Sequence, residues 1–322
     1  MCIVMNLMKE CEGAKTIGIS GHIRPDGDCV GSCLALYQYL KKRLPVASVE
    51  VFLENPPKDF QDIKGFDEIQ EPGEVREPFD VFFILDSVPE RTGKAYDYFR
   101  SAKRKVNIDH HGTNSGCGDS FLVRPEVGSA SEVVYDLMEE SYVDQDIAMS
   151  IYIGMIHDTG IFQYSNTSPE TLRKAARLIE YGFDFPGIIE KTYHAKTYLQ
   201  SQIMGRALME SVRFMDGHCV VSVVDRKVIN FYQVEPNDFT GIVNQLRYIT
   251  GVDCAIFMYE CGVQEYKISL RTTEKVDAAA VVSHFGGGGH KRAAGCTMLG
   301  SSHDCINNLS YYIEQELEKE HA

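Results

Sequence analysis

Four short stretches in the first half of the chain concentrate histidine and aspartate in patterns suited to metal chemistry. They are Gly21-His22-Ile23-Arg24-Pro25-Asp26-Gly27-Asp28, a lone Asp86, Asp109-His110-His111, and Asp158-Thr159-Gly160. Carboxylates packed together repel and raise each other's pKa unless cations neutralise them. Imidazole with several carboxylates and no thiolate suits manganese, or another hard-to-borderline divalent ion, better than structural zinc. One aspartate shared between two ions would give the arrangement that clamps an in-line displacement at phosphorus. Singly, each stretch has an ordinary explanation. Asp26-Gly27-Asp28 makes a good turn, Asp86 could cap a helix, and His110-His111 says little alone. Asp158 could end a helix, although a carboxylate there opposes the helix dipole. Together and in this order, they point to one metal site.

A second string, Phe285-Gly286-Gly287-Gly288-Gly289-His290-Lys291-Arg292-Ala293-Ala294-Gly295, lies near the other end. Glycines let a backbone approach a ligand closely, and their free N–H groups can cradle an anion. No Gly-Lys-Ser/Thr follows at the spacing of a Walker loop. A flexible linker is the plain alternative, disfavoured by His290, Lys291 and Arg292 directly behind. Arg271, on the run Ser269-Leu270-Arg271, offers a bidentate fork for phosphate. Its plain alternative is a surface salt bridge.

The elements that must position these residues alternate. Lys15–Ser20, Val49–Leu53, Val81–Leu85 and Val106–Ile108 read as strands, and Cys29–Arg43, Ser131–Glu140 and Ile147–His157 as helices. Ser168-Pro169 supplies an N-cap and first-turn proline for a helix that stops at Gly182. This alternation predicts an α/β fold, a mainly parallel sheet with helices on both faces. Ligands in such sheets gather beyond the carboxyl ends of the strands, where three of the four stretches fall. The rhythm then changes: Cys219–Val224, Cys254–Tyr259 and Tyr266–Arg271 read as strands, Asp277–Phe285 and Ile306–Glu320 as helices. The expected organisation is a first domain over 1–185, a polar linker over 186–204, a smaller α/β domain over 205–322, and a cleft between the two.

Length and composition agree: 322 residues and 36.2 kDa suggest two domains. Hydrophobic residues at 44% and charged ones at 24% exclude wholesale disorder. No apolar run reaches the ~18–20 residues of a membrane span. The start, MCIVMNLMKECEGAK, reads as a short amphipathic helix rather than a signal peptide. A cytoplasmic protein without membrane partners is expected. The ten cysteines form no C-x-x-C and read as reduced apolar fillers. The net charge of −14, with −4 from Gly205 onward, repels long nucleic acids.

The first-half pattern, His22-x-x-Pro25-Asp26-Gly27-Asp28-x-x-Gly31-Ser32, Asp86, Asp109-His110-His111 and Asp158-Thr159-Gly160, resembles the four motifs of the DHH phosphoesterase superfamily. Phe162, Tyr164, Ser165, Asn166 and Thr167 extend the likeness. It implies that His22, Asp26 and Asp86 hold one Mn²⁺ and that Asp28, Asp86, His110 and Asp158 hold a second, with other divalent metals as substitutes. It also implies that His111 faces the substrate phosphate with Asp109 supporting it from behind. His157 departs from the pattern, which more often has a small hydroxylated residue there. The glycine string is similar to the signature of the DHH-associated domain. That likeness implies substrate binding by Arg271, Gly287, Gly288, Gly289, His290 and Arg292. The second signature disfavours the pyrophosphatase branch, and the modest length disfavours RecJ-type exonucleases. What remains resembles the stand-alone oligoribonuclease (nanoRNase) and pAp-phosphatase group. The implied activity releases 5′-mononucleotides from short RNA, and AMP from 3′-phosphoadenosine 5′-phosphate (pAp), through a water activated by two ions. Cleavage of linear or cyclic di-adenosine monophosphate (pApA-type nucleotides) stays open, as does a homodimer. So does a catalytically silent nucleotide sensor, although such a protein would be expected to lack ligands, and none is missing.

Overall fold

The computed structural model describes residues 5–73 and 77–319, in two units that meet between Ala195 and Lys196. After one helical turn, α1 (Leu7–Glu10), the first unit alternates as its periodicity demands. Its elements are β1 (Thr16–Ser20), α2 (Gly27–Arg43), β2 (Ser48–Phe52), β3 (Ile69–Gln70), β4 (Val81–Leu85), α3 (Ala95–Ser101), β5 (Arg104–Asp109), β6 (Ser120–Val123), α4 (Ala130–Asp136), α5 (Gln145–Asp158) and α6 (Pro169–Ile179). The six strands are all parallel, in the order β3-β2-β1-β4-β5-β6. A parallel sheet must be covered on both faces, and alternation along β4 does this. Val81, Phe83 and Leu85 join Ile17, Ile19, Val106 and Ile108 in one core with residues of α2 and α5. Phe82 and Ile84 join Phe52, Phe79 and the α3 residues Ala95, Tyr98 and Phe99 in another. The strand order turns back between β1 and β4, the switch point at which such sheets open a crevice.

Two glycines bring the helices of the site together. A Cβ on Gly31 of α2 would lie 2.5 Å from the Ser150 carbonyl oxygen of α5. One on Gly154 of α5 would lie 2.7 Å from Asp28 Oδ1. Helix α6 starts at the expected Ser168 cap, a capping box with Thr171.

Residues 186–204, expected as a polar linker, contain the boundary between the two units and are largely helical. Helix α7 (Phe185–Ile189) runs into a π-helical turn, Glu190–His194, and α8 (Tyr198–Met209) follows behind a Thr197–Gln200 capping box. The segment is polar only on its outer faces. Ile188 and Ile189 pack on the first unit's core, whereas Ile203 and Ala207 are buried in the second unit's.

The second unit continues with β7 (Val212–Phe214), β8 (Cys219–Val224), α9 (Arg226–Tyr232), α10 (Ile242–Arg247), β9 (Cys254–Gly262), β10 (Glu265–Thr272), α11 (Ala278–Ser283), β11 (Gly288–His290), β12 (Ala293–Leu299) and α12 (Ser302–Lys319). Its mixed sheet has the order β11-β12-β10-β9-β8-β7, with β8 and β9 parallel. One core contains residues of α11 and α12, and another contains residues of α8, α9 and α10. Residues 1–4 and Glu320, at the ends of the two expected terminal helices, lie outside the described residues. The nine described cysteines are free. Among the described residues, no helix is long and apolar enough to cross a membrane.

Candidate metal centre

Each ligand candidate of the first unit stands at the end of an element. His22 follows β1, and Asp26 caps α2, its Oδ1 accepting from the Asp28 and Cys29 amides at 3.1 Å each. Asp28 lies in the first turn, and Asp86 directly follows β4 with a left-handed φ of +52°. Asp109 ends β5 and Asp158 ends α5.

The sheet order brings them together. His22 Nε2 lies 3.8 Å from Asp26 Oδ1 and 3.4 Å from Asp86 Oδ2. His110 Nε2 lies 3.5 Å from Asp86 Oδ1, 3.2 Å from Asp158 Oδ2 and 3.9 Å from Asp28 Oδ2. The two oxygens of Asp86 thus divide between two groups of donors. Atoms ~2.1 Å from a common ion and at right angles around it are about 3 Å apart, so both groups need only a small contraction. His22 Nδ1 is within hydrogen-bond reach of its neighbour's carbonyl, Ile23 O, at 2.9 Å, leaving Nε2 as the inward donor.

Two atoms test the fit directly. Asp86 Oδ1 and His110 Nε2 are buried without a hydrogen-bond partner, a costly condition that a cation between them would relieve. The titration behaviour agrees. Burial, then the Asp86 and Asp158 charges, raise Asp28 well above the usual carboxylate range. Burial, joined by Asp86, pushes Asp158 up to about 6. Burial opposes charge on His22 and His110, yet their carboxylate neighbours push them up to about 12 and about 10. A cation entering this site would have to displace those protons, so any metal binding here should strengthen as pH rises.

Asp109 has a different position. Its Oδ1 accepts from the His110 and His111 amides at 2.7 and 3.1 Å and lies 2.8 Å from His111 Nδ1; its Oδ2 accepts from Asn114 at 2.6 Å. With both oxygens occupied, it orients His111. Burial opposes the charge on Asp109, but His111 and Asn114 together hold its pKa below the usual range.

Sequence reasoning missed part of the support. The Ala130 and Ser131 amides, opening α4, donate to Asp28 at 2.6 and 2.9 Å; the signal was Ser129, an N-cap residue. Asn114 also donates to Asn107 at 3.0 Å, and an asparagine inside a buried strand was the clue. Cys29 is a near neighbour of His22 and Asp86, but burial keeps it a thiol. His157 is packed among rings, 5.0 Å from Phe60 and 5.6 Å from Tyr193, with Nε2 3.0 Å from Thr192 Oγ1. Burial pushes its pKa down to about 4.

In the second unit, Arg271 of β10 pairs with Ala293 of β12, which pairs with His290 of β11, forming one cross-strand row. The glycine run is more committed than a free cradle. Gly286 is left-handed at φ +70°; its N–H donates to Ser283 O at 3.2 Å, and that of Gly287 to Val282 O at 2.9 Å. These are the two bonds of a Schellman stop, so the Gly287 N–H ends α11 and is not free for an anion. Gly289, at φ +147°, lies so close to β12 that a Cβ would meet Ala293 O at 2.5 Å. Gly288 has open space where its Cβ would be. Arg292 reaches Glu274 at 3.4 Å with both side chains exposed.

Comparison with known proteins follows the same division. Residues 16–155 match the DHH family, N-terminal domain, and residues 216–319 the DHHA1 domain. The chain is 32% identical to the bifunctional oligoribonuclease and PAP phosphatase NrnA of Thermus thermophilus, over 93% of this chain and 89% of that protein. It is 24% identical to the Bacillus subtilis protein of the same name, over 88% and 89%. The crystal structure of an exopolyphosphatase-related protein from Bacteroides fragilis superposes with a TM-score of 0.87 at 27% identity, covering 97% of this chain and 94% of that one. RecJ from Thermus thermophilus, solved with Mn²⁺, shares the fold at a TM-score of 0.56 and 12% identity, over 97% of this chain and 53% of that one. These likenesses give di-adenosine monophosphate no advantage over oligoribonucleotides as a substrate. The chain belongs to the DHH family, carries a DHHA1 domain behind the DHH domain, and is a hydrolase of phosphoester bonds.

Proposed function

We propose that this chain is a manganese-preferring phosphoesterase that hydrolyses short oligoribonucleotides to 5′-mononucleotides and converts pAp to AMP. The division of Asp86 carries the reading, with Oδ2 toward His22 and Oδ1 toward His110. His22, Asp26 and Asp86 would hold one ion, and Asp28, Asp86, His110 and Asp158 the second. Bound there, the pair would polarise the phosphoryl oxygens and lower the pKa of a water. Nitrogen and oxygen donors without a thiolate favour manganese.

The chain's own residues do the rest. The Asp109 hydrogen bond raises the pKa of His111 against its burial and favours the imidazolium. That charge stabilises the phosphoryl oxygens as they become more negative. Arg271, Gly288, Gly289, His290 and Arg292 would bind the nucleotide from the second unit. The names of the relatives, which match over nearly their whole length, support the substrate class. The net charge of −14 supports a preference for short chains.

The test is a product time course on RNAs of graded length, with pAp and pApA alongside, in Mn²⁺ and in chelator. Mononucleotides from the shortest RNAs, AMP from pAp, and silence in chelator are expected. Efficient processing of long RNA, or full activity in chelator, overturns the proposal.

A further inference from the structure

Among the described residues of the first unit, six arginines are engaged. Arg43 pairs with Glu139, Arg100 with Asp97, Arg124 with Asp136, Arg173 with Glu170 and Arg177 with Glu140, while Arg104 donates to the carbonyls of Lys9 and Glu10. Arg24 and Arg91 are exposed and have no such partner among the described residues. In a chain of net charge −14, an exposed guanidinium readily finds a carboxylate, so two that do not are informative.

They occupy the two loops that carry the metal candidates. Arg24 stands between His22 and Asp26, and Arg91 ends the turn Pro89–Arg91 that follows Asp86. The Ile23 amide donates to Arg91 O at 2.7 Å, tying one loop to the other. A Cβ on Gly93 would lie 2.6 Å from Ile23 Cγ2, so the Ile23 side chain packs on the loop behind Arg91. Arg24 is held at φ +56°, a left-handed conformation that a residue with a Cβ adopts at a cost, and such strain clusters at functional sites. Glu54, the carboxylate beside Gly93, accepts from the Lys94 amide at 2.8 Å.

We propose that Arg24 and Arg91 clamp a second phosphate of the substrate, the terminal 5′-phosphate that is not cleaved. The proposal rests on the reading of this site as the phosphoesterase centre. In pAp and in a 5′-phosphorylated dinucleotide alike, that phosphate sits on the ribose whose 3′ oxygen departs. Two guanidiniums offer forked, charge-assisted bonds matched to a dianion.

Calorimetric binding of pAp and of adenosine 3′-phosphate, with Ca²⁺ as the divalent ion, tests the clamp independently of turnover. Wild type should bind pAp at least tenfold more tightly, and Arg24→Ala/Arg91→Ala should reduce that ratio to within about twofold of one. Arg24→Lys should recover part of it. Arg100→Ala/Arg173→Ala, which removes the same two charges from exposed ion pairs, should leave it unchanged. A ratio kept by the double variant, or absent in wild type, overturns the clamp. Loss of manganese-dependent hydrolysis is scored separately and bears on the phosphoesterase reading.

Discussion

Replacing Asp86 by asparagine keeps the shape of the side chain and removes its charge. Its carboxylate oxygens lie 3.4–3.5 Å from nitrogens of His22, His110 and His111, so the change reaches both donor groups at once. Substituting a residue that merely orients a metal ligand costs about 10–100-fold. A carboxylate serving two ions should cost more than that at each, so Asp86→Asn should lower kcat about 10³-fold or more in Mn²⁺. The fold should not suffer in parallel. Asp86 raises Asp28 and Asp158 but also pairs with the protonated His22 and His110, so removing it relieves repulsion and loses attraction inside the same buried cluster. The two effects oppose each other, so the variant's Tm in chelator should stay close to that of wild type. Ligand saturating a site at 100 times its Kd stabilises by about 2.7 kcal/mol, and most of this Mn²⁺-induced rise should vanish in the variant. Metal content by mass spectrometry, thermal melts with and without Mn²⁺, and hydrolysis of a short RNA together check the reasoning. An intact Mn²⁺-induced shift, or activity above about a tenth of wild type, would refute the bridging role.

Activity after chelation should return best with Mn²⁺ and more weakly with Mg²⁺, which prefers all-oxygen sites; strict zinc dependence in a metal-reconstitution assay would contradict this. Arg271→Ala should reduce kcat/KM for dinucleotides and pAp at least tenfold more than for a simple phenyl diester, and equal losses would remove it from nucleotide binding. Lys103, with the Lys15 and Thr16 amides, holds the Asp80 carboxyl well below the usual range. A depressed carboxyl stabilises above its unfolded pKa and loses that contribution as pH falls through the native one. Asp80→Asn should thus cost about 1–2 kcal/mol at pH 7, with the gap to wild type narrowing below about pH 4 in urea denaturation; a constant gap would be contrary. Gly31→Ala drives a Cβ to within 2.5 Å of the Ser150 carbonyl oxygen. Thermal melts should report a cost of about 1–3 kcal/mol, and calorimetry should report weaker Mn²⁺ binding because Asp28 and Asp158 ride on the two helices forced apart.

Local pattern was enough to locate most elements and ligand candidates. Val81–Leu85 and Cys219–Val224 are strands at the bounds their apolar runs suggest, and Ser168-Pro169 opens its helix, because periodicity, caps and proline act over a few residues. His22, Asp26, Asp28, His110 and Asp158 were legible for the same reason, each standing just past or just inside an element end. Asp86 was legible in the same way, directly after the Val81–Leu85 strand, but nothing local says which groups its two oxygens face. Only the order that puts β4 beside β1 sets it against His22 and divides its oxygens between two imidazoles. That order follows from burying both faces of a parallel sheet, a condition on the whole unit and not on any window of residues. Tertiary packing also decided Asn107 and Asn114 behind Asp109, and the helical course of residues 186–204, whose apolar residues answer to two different cores. The same holds for Gly286 and Gly287. A glycine run reads as open backbone, but where α11 ends determines that its first N–H groups stop a helix. Sequence alone named the groups able to do chemistry, and long-range pairing of strands and helices decided which atoms of those groups face one another.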